Sequence, residues 1–102
     1  MILYIDTSEA KKIKVQLKSD SIKKTLIIEN QPGSQALLPA IVKILKQQKI
    51  TFGQIKAIEV HTGPGSFTGL RVGVAVANAL SYALKLPVNG KPIGQFVEPK
   101  YS

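Results

Sequence analysis

Three short stretches hold residue types that could do chemistry. The first is "HTGPGSFTGLR" at residues 61–71, with glycines at 63, 65 and 69, hydroxyls at Ser66 and Thr68, and a cation at Arg71. A glycine-rich turn leading into a helix can cradle an anion, because backbone N–H groups at a helix N-terminus point outward. Gly65, Ser66, Thr68 and Arg71 are therefore the candidate anion-binding residues. The second stretch is Asp6-Thr7-Ser8, where one carboxylate and two hydroxyls follow an apolar run. The third is His61, the one histidine of the chain.

Each nucleotide motif fails on detail. A P-loop ends in Gly-Lys-Ser/Thr, with the Lys on phosphate and the hydroxyl on magnesium. Here Leu70 and Arg71 follow Gly69. A dinucleotide fingerprint needs Gly-x-Gly-x-x-Gly in the first strand–helix turn. Gly63, Gly65 and Gly69 are spaced one residue too long for it, and no acid follows at the ribose position. A nucleophile elbow needs one residue between the first glycine and the serine, and Ser66 directly follows Gly65. Helix capping by Ser66 or Thr68 is the simpler use of these hydroxyls. Actin-like and sugar-kinase ATPases use an Asp and hydroxyls after the first strand for magnesium and phosphate. They hold nucleotide between two lobes, whereas 102 residues make one. A strand end closed by its own Asx or hydroxyl turn accounts for Asp6, Thr7 and Ser8 without a ligand. His61 has no second His or carboxylate at ligand or triad spacing and reads as structural. No metal site is expected, since the chain has no cysteine.

The elements that position these residues follow from periodicity. "ILYID" (2–6) reads as a buried strand. "KIKVQLK" (12–18) alternates, with Ile13, Val15 and Leu17 on one face and lysines on the other, which predicts a half-buried antiparallel strand. "IKKTLIIE" (22–29) predicts a third strand. The period then becomes helical over 34–49, with Ser34 as N-cap and Pro39 in or just after the first turn. Strand character returns over 54–62, a second helix is predicted over 66–86, and "PVNG" (87–90) begins a last strand. The order β-β-β-α-β-α-β predicts an α/β fold, a mixed five-stranded sheet of the ribonuclease H-like kind, in a single domain over 1–102.

The second helix is apolar nearly all round. Gly69, Gly73, Ala77 and Ser81 recur every fourth position, while Val72, Val76, Ala79, Leu80 and Ala83 cover the other side. Glycine inside a helix costs about 1 kcal/mol against alanine, so close approach of a packing partner is expected at Gly73. A small domain can cover one face of such a helix with its sheet; the other face calls for another chain. The expected partner interface is Leu38, Ile41 and Leu45 on the first helix and Gly69, Val72, Gly73, Val76, Ala77 and Leu80 on the second.

Composition bounds the rest. Hydrophobic residues make up 44% and charged residues 20% of the chain, as in a globular protein. Net charge is +8, which favours polyanions such as RNA. Lysines alternating with apolar residues, without an aromatic platform, read more simply as a solvated face. No signal peptide pattern is present at the start, and the longest apolar stretch, near 72–84, is shorter than a membrane span, so a cytoplasmic protein without membrane contact is expected.

Taken together, "ILYIDTS", "SQALLPAI" and "GPGSFTGLRVGVAVANALSYALKLPVNG" resemble the TsaB family, the accessory subunit of the bacterial machinery that makes tRNA threonylcarbamoyladenosine, formerly grouped with glycoprotease-like proteins. The match runs from residue 2 to about residue 90, and 63–90 is its specific part. The resemblance implies an actin-like lobe without catalytic activity of its own. It implies docking of the two helices on the catalytic threonylcarbamoyl transferase (TsaD-like) or in a homodimer, with an ATPase subunit (TsaE-like) joining and tRNA reached through the complex. No cofactor is implied for the isolated chain; nucleotide would sit only at an interface with the partner. Typical members have two lobes, so this chain matches the N-terminal lobe, and a naturally shortened member is expected. The readings from a different class are a nucleotide- or phosphate-binding ATPase fragment using Asp6, Ser66, Thr68 and Arg71, and a basic tRNA-binding module.

Overall fold

The computed structural model describes residues 1–100; the last two residues of the expected domain lie outside the described residues. β1 (Ile2–Asp6), β2 (Lys12–Lys18) and β3 (Lys23–Glu29) form an antiparallel meander. α1 (Gly33–Gln48) crosses to β4 (Ala57–Val60), which pairs parallel to β1, and α2 (Phe67–Leu84) follows. The sheet order is β3-β2-β1-β4.

Alternation along the strands builds the core. Leu3 and Ile5 of β1, Ile13, Val15 and Leu17 of β2, and Ile58 and Val60 of β4 are buried on one sheet face. Leu37, Ile41, Ile44 and Leu45 of α1 and Leu70, Val74 and Ala77 of α2 are buried as well. Both helices pack on this face of the sheet. The opposite face carries Tyr4, Lys14, Gln16, Lys18 and Glu59, with no helix over it among the described residues. There Lys18 Nζ meets Glu59 Oε1 at 2.7 Å and lies 5.1 Å from the centre of the Tyr4 ring. Burial, then the charge and hydrogen bond of Asp6, raise the Tyr4 phenol above its usual pKa.

Four details differ from the expectations. The sheet has four strands, because the fifth is reduced to one bridge between Ile58 and Val88. The Asn89 side chain supplies the next rung: the Val60 N–H donates to its Oδ1 at 2.8 Å and its Nδ2 donates to Val60 O at 3.0 Å. A positive φ at Asn89 (51°) turns the backbone away. α1 starts at Gly33 with Pro32 as N-cap and no side-chain cap, so Ser34 is not the cap. Pro32 O accepts from the N–H groups of Gln35 and Ala36 instead. Pro39 lies inside the helix, past its first turn, on the exposed side. β4 is shorter than the predicted 54–62, since a 3₁₀ turn at Phe52–Gln54, boxed by Thr51 and Gln54, precedes it.

α2 is 18 residues long and apolar enough to reach the lower limit for crossing a bilayer by length and composition. Its packing is that of a core helix: Leu70, Gly73, Val74, Ala77 and Ser81 are buried against the rest of the chain.

Candidate functional site

The turn at 61–71 folds onto the end of β1. The Ser66 N–H donates to Ser8 O at 2.7 Å, and the His61 N–H donates to Ile5 O at 2.9 Å. Thr7, buried, donates its hydroxyl to Gly69 O. The Ser8 N–H donates to Asp6 Oδ1 at 2.9 Å, the Asx turn expected from the sequence. Ser66 is the N-cap of α2 and accepts from the Gly69 N–H at 3.3 Å. His61 Nε2 lies 3.0 Å from Pro64 O and belongs to the turn.

This geometry answers the phosphate question on two counts. The amides of Ser66 and Gly69, expected to face outward, are turned to the chain's own oxygens. The cleft between the ends of β1, α1 and α2, lined by Thr7, Lys12, Gly33, Ser66, Thr68 and Gly69, has a volume of about 150 Å³. Small-molecule sites run to roughly 300–1,000 Å³. Gly65 and Thr68 are exposed at its rim. Arg71 is exposed too, its guanidinium 5.5 Å from the centre of the Phe67 ring. Among the described residues no three His, Cys, Asp or Glu side chains gather as a metal site.

The glycines of α2 serve contacts inside the chain. A Cβ at Gly69 would collide with Thr7 O, and one at Gly73 with Thr7 Oγ1. The missing side chains let α2 approach the end of β1 closely enough for the Thr7–Gly69 bond. The propensity cost of Gly73 is thus offset within one chain, not by a partner. Ala77 and Ser81 continue the stripe, and the Ser81 hydroxyl donates to Leu86 O.

Of the expected interface, Ile41, Leu45, Gly73 and Ala77 are therefore core residues with no exposed side chain. Gly69 is half-buried at the same contact. Leu38 is 51% exposed, and Val72, Val76 and Leu80 are half-buried against the core edge. The exposed stripe of α2 is Phe67, Arg71, Ala75, Ala79 and Tyr82. With Leu38 and Val42 on α1, it forms an outward surface of aromatic, aliphatic and small residues around one cation. Ala75, Ala79, Phe67 and Tyr82 were not singled out as interface residues from the sequence. Arg71 and Tyr82 carried the signal: neither suits the tight contact with β1, so residues spaced from them by one helical turn face solvent.

A second missed pair is Asn78 and Val97. Asn78 Nδ2 donates to Val97 O at 2.9 Å, and the Val97 N–H donates to Asn78 Oδ1 at 3.0 Å. This amide clamp straps the C-terminal segment to α2, with Val97 buried.

Comparison with known proteins gives this arrangement a family. A TsaB protein of tRNA threonylcarbamoyladenosine biosynthesis from Buchnera aphidicola (subsp. Schizaphis graminum) is 35% identical over 97 residues, 88% of this chain and 43% of that protein. Its counterpart from Haemophilus influenzae is 36% identical over 90 residues, 85% of this chain and 37% of that protein. The structure of YeaZ from Pseudomonas aeruginosa superposes with a TM-score of 0.79 at 30% identity, covering 85% of this chain and 40% of that one. The chain belongs to the TsaB family. Residues 30–90 also match the sequence family described as TsaD, tRNA N6-adenosine threonylcarbamoyltransferase. The chain spans less than half the length of the TsaB relatives it matches.

Proposed function

We propose that this chain is a non-catalytic scaffold subunit in tRNA threonylcarbamoyladenosine modification, which docks the outer face of α1 and α2 on the catalytic threonylcarbamoyl transferase. The observation that carries the reading is the outer stripe of α2. Phe67, Ala75, Ala79 and Tyr82 lie exposed beside Leu38 and Val42, an apolar surface that a small domain has no means of covering alone. Small residues at Ala75 and Ala79 allow a partner helix to approach, and the aromatic side chains supply contact area. Arg71, in their midst, fits an acidic group on the partner. The names of the TsaB relatives supply the pathway. The lobe is taken as actin-like, working in the cytoplasm, with an ATPase subunit joining the pair, tRNA reached through the complex and nucleotide bound only at a shared interface.

The absence of catalysis in this reading rests on the junction of β1 and α2. Asp6, Thr7, Ser8, Ser66 and Gly69 bond to one another, which leaves the residues of an ATPase reading engaged in holding the fold. The test is calorimetry of the chain against the cognate transferase, paired with an ATP-turnover assay of the chain alone. Saturable binding without turnover is expected. Absence of binding by a folded chain, or magnesium-dependent hydrolysis lost in Asp6→Ala, overturns the proposal.

A further inference from the structure

The two edges of the sheet are finished differently. Beyond β4 the chain returns and closes the edge. The Ile58 N–H donates to Pro87 O at 2.9 Å, the Asn89 N–H donates to Ile58 O at 2.9 Å, and the Asn89 side chain pairs with Val60. The Lys100 N–H then donates to Thr62 O at 2.6 Å. β3 is the other edge, and among the described residues no strand lies beyond it.

The phase of the β2–β3 ladder shows which groups that edge offers. The Ser19 N–H donates to Ile22 O and the Asn30 N–H to Lys11 O, so even-numbered residues of β3 turn their backbone groups toward β2. The N–H and C=O groups of Lys23, Thr25, Ile27 and Glu29 face outward. Pairing with β2 is unbroken from Lys23 to Glu29, and the strand has neither a proline nor a bulge to blunt it. Ile27 is exposed on one face, and Leu26 and Ile28 are half-buried on the other.

We propose that β3 pairs antiparallel with β3 of a second copy, about a two-fold axis at Leu26. The strand "KKTLIIE" is complementary to itself in this register. Lys23 falls opposite Glu29 of the second copy, and Lys24 opposite Ile28. Thr25 falls opposite Ile27, and Leu26 opposite Leu26. All outward backbone groups are matched, because the opposed odd-numbered residues are those whose N–H and C=O face the edge. A shift of register that keeps this phase puts Lys23 opposite Ile27, or Glu29 opposite Thr25, and loses both ion pairs. Opposite charges directly across an antiparallel pair are favourable and like charges are not, so Lys23 and Glu29 select the register. The interface is isologous, as a two-fold axis requires. It leaves the outer stripe of α2 uncovered and is independent of docking on the transferase.

The test is analytical ultracentrifugation of the 102-residue chain over a concentration series, with circular dichroism as the check on folding. The parent chain should pass from monomer to dimer as concentration rises. Thr25→Pro removes an outward donor while leaving the rungs to β2 in place, and should remain monomeric with the parental spectrum. Glu29→Lys should also remain monomeric, and the double reversal Lys23→Glu/Glu29→Lys should restore the dimer. Ala79→Arg, on the helix face, should dimerise like the parent. A parent that stays monomeric throughout, a dimer that survives both Thr25→Pro and Glu29→Lys, or one that Ala79→Arg abolishes overturns the proposal.

Discussion

α2 carries two stripes built on the same four-residue spacing, and they have opposite fates. Gly69, Gly73, Ala77 and Ser81 face inward, where a missing or small side chain brings the helix onto Thr7 and Ile5. Phe67, Arg71, Ala75 and Ala79 face outward beside Tyr82. Small residues at helical spacing thus mark close approach without saying to what. The answer lies in the flanking residues: the inner stripe adjoins Leu70 and Val74, which need a core, and the outer one includes Arg71 and Tyr82, which do not. Inward, the stripe makes a fold; outward, the same spacing leaves an apolar face for another chain.

The largest effect should come from breaking the inner stripe. Gly73→Leu drives a branched side chain into Thr7, and overpacking of this kind costs about 1–3 kcal/mol or more. It should lower the thermal midpoint sharply and abolish binding only by unfolding, as a melt followed by circular dichroism would show. Breaking the outer stripe should leave the fold alone. Ala75→Arg adds length at an exposed helical position, where surface changes stay within about 0.5 kcal/mol. It should nonetheless cost at least about 2 kcal/mol of affinity for the transferase, roughly thirtyfold, if the stripe is the centre of the interface. Calorimetry beside a melt separates the two effects.

Asn78→Ala sharpens the comparison from the side of the helix. It removes both hydrogen bonds to Val97, each worth about 0.5–1.5 kcal/mol net. Amide hydrogen exchange should rise around Val97 while β1 and α2 stay protected. The smallest effect belongs to the open sheet face. Lys18→Ala breaks a partly exposed ion pair with Glu59, and such pairs contribute about 0.2–1 kcal/mol. A small fall in the urea midpoint, diminishing as salt is added, is expected.

Much of the fold was legible because it rests on strict periodicity. Ile13, Val15 and Leu17 alternate with lysines and are buried. The helical period of α1 and α2 is equally plain, and Ser66 caps α2 as its position before the apolar run implies. What escaped depends on contacts distant in sequence. Asn89 replaces a backbone rung with its side chain, which no propensity encodes, so a fifth strand was expected where one bridge stands. Ser34 looked like a cap because hydroxyls favour that position, yet the Pro32 carbonyl already receives the first amides of α1. At the candidate site, the turn and its capping were readable. The direction of the glycine stripe was not, because it is set by Thr7, far from Gly69 and Gly73 along the chain.

The central claim is that the inner stripe of α2 folds this chain and the outer stripe binds its partner. Titration of Ala79→Arg into the transferase tests it most directly, alongside the melting curve of the same variant. The account predicts a parental melt and no measurable binding heat. A variant that melts like the parent and binds with parental affinity would contradict it.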